Sequence, residues 1–168
     1  MKIIVMSDSH GDLEMVQAIS TLPENLIVNA LFHCGDSELP FDHPVFGQMV
    51  KIRGNCDTDA RFPNNVVVKV DEKTIYAVHG HEHNVNQTLM TLHYDAIKKN
   101  ADIVLFGHTH LYGAYLIDGI LFVNPGSTQL PRGGKKATYA IVEWNEKIRI
   151  TYRNLQHEVI DTQEFNNI

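Results

Sequence analysis

The sequence predicts an α/β sandwich in which two mixed β-sheets pack face to face and helices lie outside them. Short apolar runs rich in Val and Ile recur along the 168 residues and end at Gly, Asn or Asp, which is typical of strands. Helical patterns separate the early runs and favour parallel pairing, whereas tight turns separate the later runs and favour antiparallel pairing. The runs are too numerous for one sheet, so we predict two sheets in a single domain, residues 1–168.

Ten apolar runs are predicted to be strands. In chain order they are Lys2–Met6, Ala30–Cys34, Gln48–Arg53, Val66–Val70, Thr74–Val78, Asp102–Phe106, Tyr112–Ile117, Leu121–Asn124, Thr138–Trp144 and Ile148–Tyr152. Turn-forming residues at 71–73, 118–119 and 144–147 predict three hairpins among them.

Two segments, 11–21 and 87–99, have apolar residues at helical spacing. Asn86 is the predicted N-cap of the second helix. His93 falls on the apolar face of that helix, which predicts a hydrogen-bonded core residue. The apolar positions are Leu13, Val16 and Ile19 in the first segment and Leu89, Leu92, Ala96 and Ile97 in the second.

Composition limits the classes of function. An apolar fraction of 43% and a charged fraction of 20% are typical of a globular protein. No apolar stretch is long enough to span a bilayer and no signal peptide is recognisable, so we expect a cytoplasmic protein without a membrane partner. The net charge of -6 argues against extended nucleic-acid binding, although bound cations would still allow a small phosphate substrate. Cys34 and Cys56 are expected to be reduced, small, buried residues at strand ends.

Five short blocks of metal-binding side chains follow apolar runs, at residues 8–10, 35–36, 54–57, 79–81 and 107–110. Carboxylate, imidazole and amide groups, without a required thiolate, suit two neighbouring divalent cations. Taken alone, Asp8 fits a helix N-cap, and Asp36 and Asn55 fit turn residues, but all five blocks together predict a two-metal hydrolase. The candidate ligands are Asp8, His10, Asp36, Asn55, His79, His108 and His110, whereas His33, His43, His83, His93 and His157 are predicted not to bind metal.

The blocks resemble the signature of the calcineurin-like metallophosphoesterase superfamily, which is Asp-x-His, Gly-Asp, Gly-Asn-His-Asp/Glu, His and Gly-His-x-His. The later hairpins and residues 124–127 resemble the small single-domain bacterial phosphodiesterase branch. The resemblance implies the metallophosphoesterase fold, a centre of two divalent ions and a homo-oligomer. Manganese is our first expectation for the ions, and iron, zinc, nickel or cobalt are compatible with the same ligands. The first ion would be held by Asp8, His10, Asp36 and His110, and the second by Asp36, Asn55, His79 and His108, with Asp36 bridging.

The implied reaction is hydrolysis of a small phosphodiester, in which a hydroxide that bridges the ions attacks phosphorus in line with the leaving oxygen. Asn55 and His81 would stabilise the phosphoryl charge together with the metals on Asp36. Arg132, in a Gly- and Pro-rich loop, is a candidate phosphate contact, and a solvated loop charge is its alternative.

One position departs from the family signature. Cys56 stands where many members have a histidine, and a thiol is a poorer proton donor than an imidazolium at neutral pH. His81 or a water molecule could substitute for that histidine. The alternatives are a non-catalytic interaction scaffold, the role of a eukaryotic retromer subunit with this fold, and a phosphomonoesterase or nucleotide phosphatase.

Overall fold

Two β-sheets of mixed strand direction form the centre of the structure, a computed structural model that describes residues 1–23, 27–166 and 168. Short 3-10 helices lie at Pro44–Phe46 and His81–His83. In chain order the strands and α-helices are β1 Lys2–Met6, α1 Leu13–Ser20, β2 Ala30–His33, β3 Val50–Lys51, β4 Asn65–Val70, β5 Lys73–Val78, α2 Met90–Lys98, β6 Ile103–Leu105, β7 Gly113–Ile117, β8 Ile120–Asn124, β9 Tyr139–Trp144, β10 Lys147–Arg153 and β11 Val159–Asn166.

Both sheets combine parallel and antiparallel pairs, which confirms the predicted fold class. The first sheet has the order β11-β10-β9-β1-β2-β3, in which β1, β2 and β3 are parallel. The second has the order β4-β5-β6-β8-β7, in which β5, β6 and β8 are parallel. The three predicted hairpins are present as β4–β5, β7–β8 and β9–β10.

Strand β1 shows why the central strands are continuous apolar runs. Its alternate residues Ile3 and Val5 pack between the two sheets. Ile4 and Met6 point the other way and pack against α1 in a second apolar cluster that includes Val16. Helix α2 covers the outer face of the second sheet in a similar way. A strand covered on both faces has no solvent-facing positions, so it shows no alternation of polar and apolar residues.

The structure corrects several predicted boundaries. Strand β3 has only two residues, and β11 was not predicted because it contains no apolar run and most of its residues are exposed. Helix α2 begins after Leu89, so the predicted N-cap at Asn86 is wrong. Ile97, predicted on the buried face of α2, is 50% exposed.

The structure confirms some of the burial predicted for His93 and the two cysteines and contradicts the rest. His93 is buried as predicted, but its Nε2, which lies 3.4 Å from the Asp118 carboxylate, makes no hydrogen bond, so the predicted hydrogen bond is not observed there. Cys34 is buried, but Cys56 is exposed, so the prediction of two buried thiols is wrong for Cys56, which lies in the turn after β3. Among the described residues, no helix is long and apolar enough to span a bilayer.

Candidate metal centre

The five predicted blocks meet at one end of the sandwich. They follow β1, β2 and β3 in the first sheet and β5 and β6 in the second, and these strands are parallel within each sheet, so their carboxyl ends share an edge. Backbone hydrogen bonds join neighbouring blocks: Asp8 N–H donates to Gly35 O at 3.0 Å, and Gly107 N–H donates to His79 O at 2.9 Å. A bond from His108 N–H to Asp8 Oδ2, 3.0 Å long, joins the two sheets.

Asp8 has a buried carboxylate oxygen without a hydrogen-bond partner. Its Oδ1 lies 3.1 Å from Nε2 of His110, 3.8 Å from Nε2 of His79 and 3.9 Å from Nε2 of His10. Oδ1 accepts no hydrogen bond from these rings when they are neutral and protonated at Nδ1, because each Nε2 then carries a lone pair. Buried polar atoms are normally paired, so an orphaned anionic oxygen facing three ring nitrogens indicates the place of a cation.

The tautomers of the three histidines support this interpretation. Nδ1 of His79 donates to Cys34 O at 2.7 Å, and Nδ1 of His110 donates to Leu130 O at 2.7 Å, because a carbonyl oxygen can only accept. His10 Nδ1 lies 2.6 Å from a carboxylate oxygen of Glu38. A neutral ring that donates at Nδ1 has its lone pair on Nε2, which is the form that binds metal. The donor set therefore fits a metal ion.

Asp36 and Asn55 face His79 from the other side. His79 Nε2 is 3.3 Å from Asp36 Oδ2 and 3.1 Å from Asn55 Oδ1. Burial opposes charge on His79, but the Asp36 hydrogen bond and the charges of Asp8 and Asp36 outweigh it and raise the pKa of His79. Burial likewise opposes charge on Asp36, but the hydrogen bond and charge of His79 outweigh it and lower the pKa of Asp36. A proton and a metal ion therefore compete for Nε2 of His79.

Among the described residues, three groups have ligand atoms within 4.8 Å of one another. They are Asp8, His10 and His110; Asp8, Asp36 and His79; and His10, Glu38 and Cys56. Asp8 is common to the first two groups, whereas Asp36 belongs to only one group, so the bridging role of Asp36 stays a prediction.

The other predicted ligand and the predicted substrate contacts lie around these groups. The ring centroid of His108 is 5.1 Å from that of His79, and the ring of His81 is 5.3 Å from the same centroid. Burial, then the charge of His79, lowers the pKa of His81. Arg132 is exposed, and its backbone N–H donates to His110 O at 3.2 Å. The roles predicted for His81 and Arg132 stay predictions.

Backbone strain is concentrated at the same blocks. Five of the seven candidate ligands have φ between 43° and 67°, in the left-handed region. That conformation costs about 1–3 kcal/mol at a non-glycine residue and persists only where surrounding contacts impose it. The contacts of the fold therefore impose an unfavourable backbone conformation at the positions of these candidate ligands. The five are Asp8, His10, Asp36, His108 and His110.

Asp57 organises the site and was given no role in the sequence analysis. It is buried, and its carboxylate accepts hydrogen bonds from the N–H groups of Asp36 at 2.8 Å, Glu38 at 2.8 Å and Gly54 at 2.7 Å. It thereby holds the turn after β2 beside the turn after β3. Its place in the Gly-Asn-Cys-Asp block, where the family signature has Asp or Glu, is a signal that could have identified it.

Glycine is required in the last block because two side chains approach its Cα. A Cβ on Gly107 would lie 2.0 Å from Ser7 Oγ and 2.6 Å from Asp8 Oδ2. Ser7 Oγ in turn donates to Asp8 Oδ2 at 2.6 Å. Gly107 therefore lets the second sheet approach the Asp8 carboxylate closely.

Comparison with known proteins decides the family. A family model described as the calcineurin-like phosphoesterase superfamily domain matches residues 1–147. The probable metallophosphoesterase YsnB of Bacillus subtilis is 38% identical, with 84% of this chain and 83% of YsnB covered. The chain belongs to the calcineurin-like phosphoesterase superfamily.

Two further comparisons agree with this assignment. A predicted phosphoesterase from Streptococcus pneumoniae superimposes with a TM-score of 0.95 at 37% identity, with 99% of this chain and 97% of that chain covered. The phosphodiesterase YfcE of Escherichia coli is 26% identical, with 85% of this chain and 88% of YfcE covered. The chain is therefore a metallophosphoesterase homologue with candidate metal-ligand groups.

Proposed function

We propose that this calcineurin-like phosphoesterase is a binuclear metal-dependent phosphodiesterase that acts on a small phosphodiester. The observation that carries the proposal is the unpartnered, fully buried Oδ1 of Asp8 among three histidine Nε2 atoms. The similarity to the phosphodiesterase YfcE supports the reaction class. We propose manganese as the first ion to test, because oxygen and imidazole ligands suit it.

The chain supplies ligands for two ions. Asp8, His10, Asp36 and His110 are proposed for the first, and Asp36, Asn55, His79 and His108 for the second. When bound, the ions would act as Lewis acids on the phosphoryl group and lower the pKa of water. Hydrogen bonds from Nδ1 to backbone carbonyls fix the orientation of the imidazole rings of His79 and His110.

Substrate contacts fall to groups at the rim of the centre. Asn55 and His81 are proposed to stabilise the negative charge that develops on the phosphoryl oxygens, because both lie beside His79. Arg132 is proposed to contact the substrate phosphate from its exposed loop next to His110. No covalent enzyme intermediate is needed for this hydrolysis.

Metal-stripped protein assayed with bis(p-nitrophenyl) phosphate tests the proposal. We expect turnover only after manganese is added, and a loss of at least about a hundredfold in the Asp36→Asn variant, because the substitution removes a ligand charge from the centre. The exposed Asp118→Asn variant, remote from the site, serves as the control and should retain parent activity. Absence of turnover with every divalent metal, despite binding of two ions, would favour the non-catalytic scaffold.

Cys56 predicts a preference for good leaving groups. Partial desolvation, then the charge of Asp36, raises the pKa of the Cys56 thiol to about 11, so it is a weak proton donor. We expect faster hydrolysis of aryl phosphodiesters than of alkyl phosphomonoesters, measured as kcat/KM. Cys56→His should raise turnover of poorer leaving groups, whereas the control Cys56→Ala should not. Equal or faster hydrolysis of an alkyl monoester by the parent protein would support a phosphomonoesterase instead.

A further inference from the structure

His33 is a buried histidine that touches two ligand-bearing turns without being a candidate ligand. It is the last residue of β2 and is 1% exposed. Its Nδ1 accepts a hydrogen bond from Gly35 N–H at 3.2 Å, and its Nε2 lies 2.9 Å from Ser9 Oγ. The ring of Phe46 stands edge-on to it, with centroids 6.2 Å apart. Both ring nitrogens therefore have polar partners, and the contact with Phe46 restricts the orientation of the ring.

These contacts determine the tautomer of His33. Because a backbone N–H can only donate, Nδ1 must be unprotonated, and Nε2 must carry the proton that is donated to Ser9 Oγ. Burial lowers the pKa of His33 to about 4, which keeps this neutral form at neutral pH. The imidazole thus acts as an acceptor toward one turn and as a donor toward the other.

The two turns lie side by side. Asp8 N–H donates to Gly35 O, and His10 N–H donates to Asp36 O at 2.9 Å. Asp8, His10 and Asp36 all have left-handed φ values, a conformation that surrounding contacts must impose. His33 supplies a side-chain contact to each turn, one through Ser9 and one through Gly35.

We propose that His33 is a positioning residue of the metal centre, which clamps the 8–10 turn against the 35–36 turn and thereby sets the spacing of the ligand atoms. The inference rests on the proposed metal centre. It predicts that loss of His33 weakens metal binding in protein that is still folded. A histidine with only a packing role would lower stability and leave the metal affinity unchanged.

Calorimetric titration of Mn²⁺ into metal-stripped protein tests this inference, with circular dichroism to verify folding. We expect the parent to bind two ions and His33→Leu to bind them about ten- to a hundredfold more weakly, the range seen when groups that orient metal ligands are removed. Ser9→Ala, which removes only one partner, should weaken binding less. His33→Asn, whose amide oxygen can still accept from Gly35 N–H, should recover part of the loss.

His93→Leu is the matched control, because His93 is also a buried histidine but lies on α2 facing Asp118. Its metal affinity should stay within twofold of the parent value. Parent affinity in His33→Leu, or an equal loss in His93→Leu, would overturn the inference. If His33→Leu does not fold, unchanged affinity in Ser9→Ala would overturn it. A parent protein that binds no Mn²⁺ would instead refute the proposed function itself.

Discussion

The Asp8→Asn variant is expected to bind divalent cations roughly a thousandfold more weakly than the parent, since removing one charge from a buried, paired site costs about 3–5 kcal/mol. Asp8 belongs to two of the candidate ligand groups, and its buried Oδ1 faces the Nε2 atoms of three histidines. Asparagine has nearly the same shape but no charge, so the fold should be retained while cation binding at both groups weakens.

Calorimetry with Mn²⁺ and turnover of bis(p-nitrophenyl) phosphate measure this effect. The Asp118→Asn variant makes the same chemical change at an exposed turn and should retain the parent affinity and turnover. If Asp8→Asn bound two ions with parent affinity, the ligand role of Asp8 would be wrong, and the orphaned oxygen would need another explanation.

Replacing Asp57 with alanine is expected to lower the free energy of unfolding by about 3–5 kcal/mol, because each buried donor left without a partner costs about 1–3 kcal/mol. Three backbone N–H groups, those of Asp36, Glu38 and Gly54, lose their acceptor. Urea denaturation of the metal-free protein measures the change. Turnover should fall as well, because the two turns that carry Asp36 and Asn55 lose their common anchor.

The exposed Asp42 provides a control for Asp57. It pairs with Arg61 on the neighbouring loop, and Asp42→Ala should change the unfolding midpoint little, because exposed ion pairs contribute little to stability. A loss below about 1 kcal/mol in Asp57→Ala would show that water or a rearranged turn replaces the carboxylate.

Strand β1 shows where local sequence patterns predicted the structure correctly, and strand β11 and helix α2 show where they failed. Strand β1 was predicted at the right residues because burial on both faces leaves a continuous apolar run. Strand β11 was missed because pairing with β10 holds it in place and it contains no apolar run of its own. Helix α2 was predicted to begin early because Asn86 fits an N-cap, although the chain first forms turns there.

The sequence by itself determined the fold class, the superfamily and the order of the candidate ligands. Those features depend on residue type and on position relative to strand ends, which local patterns record. Only the tertiary structure decided that Asp8 is common to two ligand groups, that Asp57 joins two turns, and that His33 contacts Ser9 and Gly35. These contacts connect residues from different strands, and their distances depend on how the two sheets pack.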